Sequence, residues 1–467
     1  MGKSIVHFAG EVMLEQARKW ESVVFQQVCV AGQQEATRYL EALDESLFMQ
    51  HPASWVVVGF RERTLVTRFG EVRIRRRLYR DESEAYHFLL DEYLGLNANQ
   101  AATPEMQTMC TILCGQVSFR KGADFLEQWL AGLLSHSTCW RLLQRTGAVA
   151  ANASKEEVEA VFSRGEPIAQ VGERRRVERL YMEADGVYVR LQNQPRKHLE
   201  LSSAIAYEGW EGLSGKREAY RLREKRAYCH VGDRTSFWEG VSLAWAHKWD
   251  LRQLREVIIG GDGAAWIRSG VDTFAGATWQ LDGFHLARAC RQTFGSRTGR
   301  KLYQTLRTGI AAKTQVSLSQ SPVREGKQAQ RAHQWVKKVT QENWGLDWRV
   351  RQGLSMEEAR GLGCMEGNQA HLLAARMKGK GRSWSPNGAY HMAKVQELLT
   401  NGEVQPWCYR QKCIEKPSAR YTRHPRSQLI APDQWLQAAV PAFYGPSPNA
   451  PWVQFLRKLI HPTHILN

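Results

Sequence analysis

Apolar residues recur with a helical period at the start of the chain and then change to alternation. Between residue 8 and about residue 50, positions such as Val12, Trp20 and Val24 fall on one side of a predicted helix. From 56 to 79, apolar and polar side chains alternate, and Phe69-Gly70 marks a turn. The alternation predicts a β-hairpin with one arginine-rich face. A solvated edge strand that is protected by its charge would give the same pattern.

The stretch from 104 to 147 has the pattern of short helices joined by a turn. Ser118 is a candidate N-cap for one helix, and the run 135–138 supplies a second cap. The helix that begins there carries Arg141 and Arg145. A helix, a short turn, a Ser/Thr cap and a basic second helix are typical of a helix-turn-helix unit. A helical hairpin inside a bundle would have the same order.

Further along, the chain changes between strand and helix patterns. A polar, charged stretch at 151–178 is predicted to be a linker. Five strands are predicted after it, at 180–191, 197–207, 226–241, 256–261 and 278–281. Helical patterns are predicted at 251–255, 283–294, 367–377 and 389–399, with a helical and basic stretch at 290–360. This order predicts an α+β or α/β multidomain protein.

The chain carries a large positive charge for its 467 residues. It has 64 Lys and Arg residues against 47 Asp and Glu residues, a formal net charge of +17. A surplus of this size is typical of proteins that bind polyanions, because cationic side chains near phosphates release condensed counterions. A basic soluble protein without a nucleic-acid partner is the alternative. If the partner is DNA, the candidate contacts are the arginines of the hairpin and of the second helix, namely Arg73, Arg75, Arg76, Arg77, Arg80, Arg141 and Arg145.

The cysteines and the terminal sequence indicate a compartment. The nine cysteines have neither a disulfide framework nor zinc-ligand spacing, which predicts reduced and mostly buried thiols. Glu11 and Glu15 interrupt the N-terminal apolar run, so no signal peptide is expected. No run approaches the roughly 18 apolar residues needed to span a bilayer. We therefore expect a cytoplasmic bacterial protein, associated with the nucleoid, that has no membrane partner.

Three acidic residues lie in contexts that suit a metal ion. Asp185 lies within a strand pattern, Asp262 follows the apolar run 256–261, and Glu366 precedes a helical pattern. Carboxylate oxygens are the ligands that Mg²⁺ prefers, and two such ions promote displacement at a phosphate. Each acid also has an ordinary alternative, because Asp-Gly is common at turns and a glutamate at a helix start interacts with the helix dipole. Their order, their strand context and the basic charge favour magnesium-dependent chemistry on nucleic acid.

Several stretches, in one order along the chain, are similar to a known enzyme family. They are residues 63–72, 76–80, 182–186, 260–263, 281–286 and 365–368, followed by His371 and by 383–385. Through them, residues from about 55 to 400 resemble the bacterial insertion-sequence transposases of the DDE class, in a family distantly related to the Mutator-like transposases. One position departs from the resemblance: it implies an acidic residue after the first Asp, where this chain has Gly186.

The resemblance implies a ribonuclease H-like catalytic core with a helical insertion, preceded by a helical and β-hairpin DNA-binding region. In that core Asp185, Asp262 and Glu366 would form a triad that holds two Mg²⁺ ions, for which Mn²⁺ would substitute. Asp282 and His285 match a (Cys/Asp)-x-x-His motif of the Mutator-like enzymes. His285 would then position the DNA strand or hold a ligand in place. A hydrogen-bonded histidine at a helix start is its alternative.

The same resemblance implies what the protein acts on. It would bind the ends of its insertion sequence and catalyse metal-dependent cleavage and strand transfer, with double-stranded DNA at element ends and target as its partner. A homo-oligomer would assemble on that DNA. A nuclease or resolvase with the same core, and a catalytically inactive DNA-binding regulator, are the alternatives. The expected regions are a helical segment at 1–55, the hairpin and helix-turn-helix region at 56–150, a linker at 151–178, a catalytic core at 179–290 and 361–400, the insertion at 291–360 and a basic tail at 401–467.

Overall fold

The described part of the chain divides into two compact units. The computed structural model describes residues 19–97, 100–130, 134–168, 172–212, 220–309, 322–354, 360–379 and 381–410. Of these, one unit holds the residues up to Ala150 together with those from Gly402 onward, and the other runs from Ala151 to Asn401. Both units contain helices and β-sheet, so the protein has a mixed α+β multidomain fold.

The first unit begins with a long helix and a three-stranded antiparallel sheet. Helix α1 (Trp20–Phe48) precedes strands β1 (Val56–Thr67), β2 (Gly70–Arg80) and β3 (Tyr86–His87). Strands β1 and β2 form the predicted hairpin, in which Thr67 pairs with Gly70. The hairpin prediction is therefore confirmed, with the turn one residue earlier than expected.

Helix α1 covers the side of β2 that faces away from β1, where β3 pairs only with Tyr79 and Arg80. Glu41 and Asp44 accept hydrogen bonds from the backbone N–H groups of Arg75 and Arg77, at 3.1 and 3.2 Å. The Thr37 hydroxyl donates to the carbonyl oxygen of Arg73 at 3.1 Å. A bare strand edge is a template for pairing with another chain. These side-chain contacts close this part of the edge.

Four helices follow the sheet: α2 (Leu89–Tyr93), α3 (Pro104–Gln116), α4 (Phe119–Trp129) and α5 (His136–Val158), of which α5 belongs to the first unit up to Ala150. The Ser118 hydroxyl accepts a hydrogen bond from the backbone N–H of Lys121 at 3.3 Å, and the Ser135 hydroxyl accepts one from Thr138 at 3.2 Å. Each hydroxyl satisfies an N–H group that has no partner within its helix. The two predicted caps are confirmed.

The cysteines that the structure describes are all buried, as the sequence predicts, and none of these forms a disulfide. Three of them, Cys110, Cys114 and Cys139, lie on α3 and α5 with their sulfur atoms within 4.8 Å of one another. Helix α4 passes close to this cluster at Gly122, where a Cβ atom would lie 2.4 Å from the sulfur of Cys114. The cluster therefore lies where these three helices pack.

The second unit is built on a mixed sheet of five strands. The strands of this unit are β4 (Arg179–Arg190), β5 (His198–Tyr207), β6 (Gly209–Gly212), β7 (Tyr220–Arg223), β8 (Arg226–His230), β9 (Glu256–Gly261) and β10 (Ala277–Leu281). The main sheet has the order β10-β9-β4-β5-β8, and β6 pairs with β7. Strand β5 is antiparallel to β4 and β8, whereas β9 is parallel to β4 and β10.

The helices of the second unit follow β8 and the later strands. They are α6 (Arg234–Ala246), α7 (Ala265–Arg268), α8 (Gly283–Thr308), α9 (Lys327–Gln341), α10 (Trp348–Arg351), α11 (Met365–Gln369), α12 (Ala375–Met377) and α13 (Pro386–Asn401). A π-helical turn at Ala370–Ala374 joins α11 to α12. Helix α14 (Val404–Tyr409) belongs to the first unit, where the Tyr409 hydroxyl donates to Glu105 at 3.1 Å.

The central strand β4 presents different chemistry on its two faces. Leu180, Met182 and Ala184 join a buried core that includes Trp245 of α6. Because successive side chains of a strand point to opposite faces, Glu183 and Asp185 lie on the other face. That face of β4 therefore carries acidic side chains.

The predicted third strand of the sheet was too long. Strand β8 ends at His230, and α6 begins four residues later. The Asp233 side chain accepts hydrogen bonds from the backbone N–H groups of Thr235 and Ser236, both at 2.9 Å. This cap starts a helix in the segment for which a strand was predicted.

The described residues of the predicted linker at 151–178 are partly helical. Helix α5 continues to Val158, and a π-helical turn follows at Glu159–Ser163. Val161 and Phe162 of that turn are buried against Leu243. The segment is therefore part of the second unit's packing.

Over the residues that the structure describes, the other predicted elements agree with it in type, and the start of the first predicted helix, 8–18, lies outside them. The strand predicted at 256–261 has the same bounds as β9, and the strand predicted at 278–281 lies within β10. Within the predicted insertion, the described residues form helices and no strand. The predicted basic tail lies outside the described residues beyond position 410. In the part of the chain that the structure describes, no helix is both long and apolar enough to cross a membrane.

Candidate active site

Asp185 lies on β4, and Asp262 directly follows β9, the parallel neighbour of β4. Glu183 of β4 is paired with Gly260 of β9, and each acid comes two residues later in its own strand direction. Asp185 accepts a hydrogen bond from the backbone N–H of Gly186 at 2.7 Å, and Asp262 accepts one from Ala264 at 2.8 Å. The structure thus brings together two of the three acids that the sequence predicts.

The turn after Asp262 requires a glycine. Gly263 has a φ of +95°, a region that side-chain-bearing residues rarely adopt. Since β9 ends at Gly261, this turn directly follows the strand and Asp262.

The two carboxylates interact electrostatically. Burial raises the pKa of Asp185 to about 6, and the negative charges of Asp262 and Asp282 act in the same direction. Carboxylates that repel each other in this way favour a bound cation or a shared proton. The site therefore concentrates negative charge in a protein whose net charge is +17.

Asp282 and His285 lie at the same edge of the sheet. Leu281 ends β10 and is paired with Gly261 at the end of β9, so Asp282 follows beside Asp262. Asp282 caps α8 and lies 2.7 Å from Nδ1 of His285. This hydrogen bond raises the pKa of His285, and the charges of Asp262 and Asp185 add to the effect.

Glu366 lies on α11, and its side chain is exposed. Helix α11 is fixed to the sheet by Gln369, which accepts a hydrogen bond from the Ser203 hydroxyl at 2.7 Å. Ser203 is paired with Asp185 across β4 and β5. Since Glu366 and Gln369 are three residues apart, they lie on the same side of the helix, and Glu366 lies one turn from the contact beside Asp185.

Asp185, Asp262 and Glu366 lie farther apart than the three clustered thiols of Cys110, Cys114 and Cys139. Among the residues that the structure describes, their carboxylate oxygens do not all lie within 4.8 Å of one another. The structure thus places Asp185 and Asp262 on neighbouring segments of the sheet and fixes the helix of Glu366 to Ser203, the strand partner of Asp185.

The departure at Gly186 has a packing explanation. A Cβ atom at that position would lie 2.5 Å from Oε1 of Glu200 on the neighbouring strand. Glu200 is itself held by Arg234, at 2.6 Å. A larger residue at position 186 would therefore displace an existing ion pair.

The hairpin arginines divide into exposed and ion-paired residues. Arg73 and Arg75 are exposed on β2. Arg80 is partly buried and pairs with Glu84 at 2.9 Å. Arg77 bonds to Asp44 at 2.6 Å and also to Glu45 of α1.

Arg76 is buried, contrary to its assignment as a DNA contact. Only 6% of its surface is exposed, and its Nε lies 2.9 Å from Oδ1 of Asp91. Its guanidinium also lies over the ring of Phe88, 3.8 Å from the ring centre. A guanidinium enclosed in this way cannot reach a DNA phosphate without unfolding the surrounding structure.

The two arginines of α5 also differ from each other. Arg141 is exposed, and one of its guanidinium nitrogens donates to the Thr138 hydroxyl at 3.1 Å. Arg145 is partly buried, and this burial lowers its pKa. Of the two, Arg141 is better placed to meet a partner in solution.

The comparison with protein families assigns the chain. The model of the uncharacterised protein family UPF0236 matches residues 15–408. The chain belongs to this family. The UPF0236 match covers both units described above.

Curated relatives carry the same family name. A UPF0236 protein of Streptococcus gallolyticus, named for its place in the 3′ region of vanSb, is 26% identical over 375 residues, which cover 78% of each chain. A UPF0236 protein of Caldanaerobacter subterraneus subsp. tengcongensis is 21% identical over 357 residues. That match covers 74% of this chain and 70% of the relative, whose name joins eleven locus labels.

One similar solved structure is the strand transfer complex of the Drosophila P element transposase. The match covers 67% of this chain and 82% of that chain, at 9% identity and a TM-score of 0.25. A TM-score this low carries no argument about the fold or function of the UPF0236 protein.

Proposed function

We propose that this UPF0236 protein is a DDE-type transposase, which binds the ends of its insertion sequence and catalyses metal-dependent cleavage and strand transfer. The observation that carries the proposal is that Asp185 on β4 and Asp262 just after β9 each come two residues after the paired residues Glu183 and Gly260 of these parallel strands. Adjacent parallel strands that each deliver a carboxylate to one point are suited to holding divalent cations. Glu366 would be the third acid of the site.

The strand order supports a ribonuclease H-like core. Numbered along the chain, the five strands of the main sheet lie in the order 5-4-1-2-3, with the first three antiparallel and the last two parallel to the first. This is the arrangement that we expect for that core. Asp185 lies on the first strand and Asp262 follows the fourth, as the resemblance in sequence implies.

The donor atoms fit Mg²⁺. In both Asp185 and Asp262, Oδ1 accepts a backbone hydrogen bond. Among the described residues, no hydrogen-bond donor is found for Oδ2 of either side chain, so this oxygen could bind a cation. Hard oxygen ligands of this kind suit Mg²⁺, which also retains several positions for water and phosphate. When bound, two Mg²⁺ ions would activate the attacking hydroxyl and stabilise the leaving oxygen.

The protein's own groups would hold the reactants in place. Asp185, Asp262 and Glu366 would supply the ligands, and Asp282 would fix the orientation of His285 through their hydrogen bond of 2.7 Å. The His285 ring, with a raised pKa, would contact a phosphate oxygen of the bound strand as a donor. His285 is therefore proposed to position DNA, and the acids to hold the cations.

The names of the Caldanaerobacter relatives support mobility. One of them joins eleven locus labels and another joins four. A protein that moves its own coding sequence is expected to be encoded at many places in one genome. Carried over to this chain, that property favours a transposase over the alternative of an inactive DNA-binding regulator.

The proposal is tested with the purified full-length protein and DNA that contains the regions flanking its coding sequence. We expect Mg²⁺ or Mn²⁺ to support cleavage at specific positions and joining of the new 3′ ends to a second DNA, and EDTA to abolish both. Cleavage without joining would instead identify a nuclease or resolvase. Binding without either reaction would identify a DNA-binding regulator.

The exposed arginines lead to a separate prediction about DNA affinity. The Arg73→Ala/Arg75→Ala double variant is expected to bind DNA more weakly than wild type, because two phosphate contacts are lost. The slope of log affinity against log salt concentration should become shallower by about 1.8, at roughly 0.9 per contact on duplex DNA. Titration of labelled DNA at several salt concentrations measures this slope.

The matched control is Arg255→Ala, which removes an exposed arginine of the second unit, whose side chain is 79% exposed. It should leave the salt slope unchanged. If Arg255→Ala makes the salt slope shallower by as much per arginine as the hairpin substitutions do, the overall charge of the protein and not the hairpin determines DNA binding.

A further inference from the structure

Glu183 is a buried carboxylate on the strand that carries Asp185. It precedes Asp185 by two residues and therefore lies on the same face of β4. Only 2% of its surface is exposed. An isolated buried carboxylate is costly, so its partners determine what it does.

Four donors surround this carboxylate. The Tyr207 hydroxyl donates to Oε1 at 2.6 Å, and the backbone N–H of Cys364 donates to the same oxygen at 3.2 Å. The backbone N–H groups of Gly363 and Met365 donate to Oε2, both at 3.0 Å. Three successive N–H groups of one segment are thus bound by a single side chain.

The bound segment leads directly to Glu366. Helix α11 begins at Met365, and the N–H groups at the start of a helix have no partner within it. Glu183 supplies acceptors for three N–H groups at this start. The carboxylate therefore connects the backbone beside Asp185, on the strand, to the backbone beside Glu366, on the helix.

Neighbouring residues leave room for this connection. A Cβ atom at Gly260 would lie 3.1 Å from Cγ of Glu183 and 3.1 Å from Cδ1 of Leu362. Gly260 is paired with Glu183 across β4 and β9. Glycine at this position lets the Glu183 side chain and the segment before α11 approach the sheet closely.

We propose that Glu183 is a positioning residue of the proposed active site: it sets the separation between the carboxylates of Asp185 and Glu366 by fixing α11 to β4. The inference rests on the proposed function, in which those two acids share the bound cations. Glu183 itself is turned toward backbone donors and supplies no ligand. A carboxylate suits this role because both of its oxygens accept, whereas glutamine would place an amide donor against N–H groups.

The test compares Glu183→Gln with wild type in the full-length protein. Mn²⁺ binding is measured by electron paramagnetic resonance, the Mn²⁺ dependence of DNA cleavage is measured at saturating DNA, and Tm is measured in parallel. We expect the Mn²⁺ concentration for half-saturation to rise about 10–100-fold, as is typical when a group that orients metal ligands is removed. A merely structural role would lower Tm and leave that concentration unchanged.

Glu239→Gln is the matched control, since Glu239 is also a buried glutamate of the second unit, 6% exposed and located on α6. It should leave the Mn²⁺ dependence unchanged. Glu183→Asp is the second variant, for the case in which Glu183→Gln does not fold. It keeps the charge but withdraws the carboxylate by one methylene group, so it should also raise the Mn²⁺ requirement.

The outcomes separate the two proposals. Suppose that wild type binds Mn²⁺ and cleaves DNA. If every folded Glu183 variant then has the Mn²⁺ dependence of wild type, the positioning role is wrong and the proposed function stands. The proposed function itself is wrong if wild type shows no Mn²⁺-dependent cleavage and binds Mn²⁺ no better than Asp262→Asn does. The positioning role then fails with it.

Discussion

The Asp262→Asn protein is expected to lose metal-dependent DNA cleavage while it still binds DNA. Losing one carboxylate ligand removes cation binding that stabilises the reaction by several kcal/mol. A loss of about 4 kcal/mol corresponds to a rate on the order of 10³-fold lower. Cleavage of end-containing DNA, followed over time with Mg²⁺ or Mn²⁺, measures this rate. The equivalent change at Asp185 should have the same effect.

The same substitution should not destabilise the fold. The charge of Asp262 raises the pKa of Asp185, so removing it relieves a repulsion between like charges. We therefore expect a Tm equal to or above that of wild type in the absence of metal. Loss of activity without loss of stability is typical of a residue retained for function.

The control for Asp262→Asn is Glu178→Gln, which removes an exposed carboxylate just before β4. The Glu178 side chain is 72% exposed and lies 3.6 Å from Arg255. It should cleave DNA at the wild-type rate. Cleavage by Asp262→Asn at a near wild-type rate would show that the acids have been assigned incorrectly.

The parts of the active site that could be predicted from sequence were those with local signals. Asp262 directly follows a run of apolar residues that forms β9 with the predicted bounds. The Ser118 and Ser135 caps of the first unit were predictable because each side chain bonds to a backbone group three residues away. Signals of this kind lie within one short window of the chain.

Glu183 could not be assigned in this way. Its alternation with Asp185 places both on one face of β4, but its donors at 363–365 come about 180 positions later in the chain. No local pattern connects the two segments. Asp233 is a capping residue that the sequence shows, but the apolar run around Val241 predicts a strand because these residues are buried on their helix.

The arginines of the hairpin lie on both of its faces. Arg75, Arg76 and Arg77 are consecutive, so alternation along β2 requires that one of them faces the side of Ile74 and Leu78. Arg76 is that residue, and its partner Asp91 lies on α2, outside the hairpin. The number of arginines predicts a basic face, on which Arg73 and Arg75 are exposed, whereas Arg76 is buried on the opposite face.

That buried cluster gives the largest expected effect on stability. Asp91 is 5% exposed and pairs with Arg76 at 2.9 Å and with Arg63, which is itself 8% exposed. In Asp91→Asn the shape is retained, but the two buried guanidinium groups lose their shared counter-charge. Leaving buried charge uncompensated typically costs about 3–5 kcal/mol of folding free energy. We expect a loss of this size for the first unit, measured by urea or thermal unfolding.

The matched control for Asp91→Asn is Glu35→Gln, in an ion pair between Glu35 and Arg38 on α1 whose side chains are 72% and 74% exposed. Solvent already screens this pair, so its loss should leave unfolding nearly unchanged. If Asp91→Asn were as stable as wild type and bound DNA more tightly, Arg63 and Arg76 would have become available to phosphates. The ion pair would then mask a DNA-binding surface. Unchanged DNA affinity with lower stability is the result expected of a cluster that holds the hairpin against α2 and leaves DNA contact to Arg73 and Arg75.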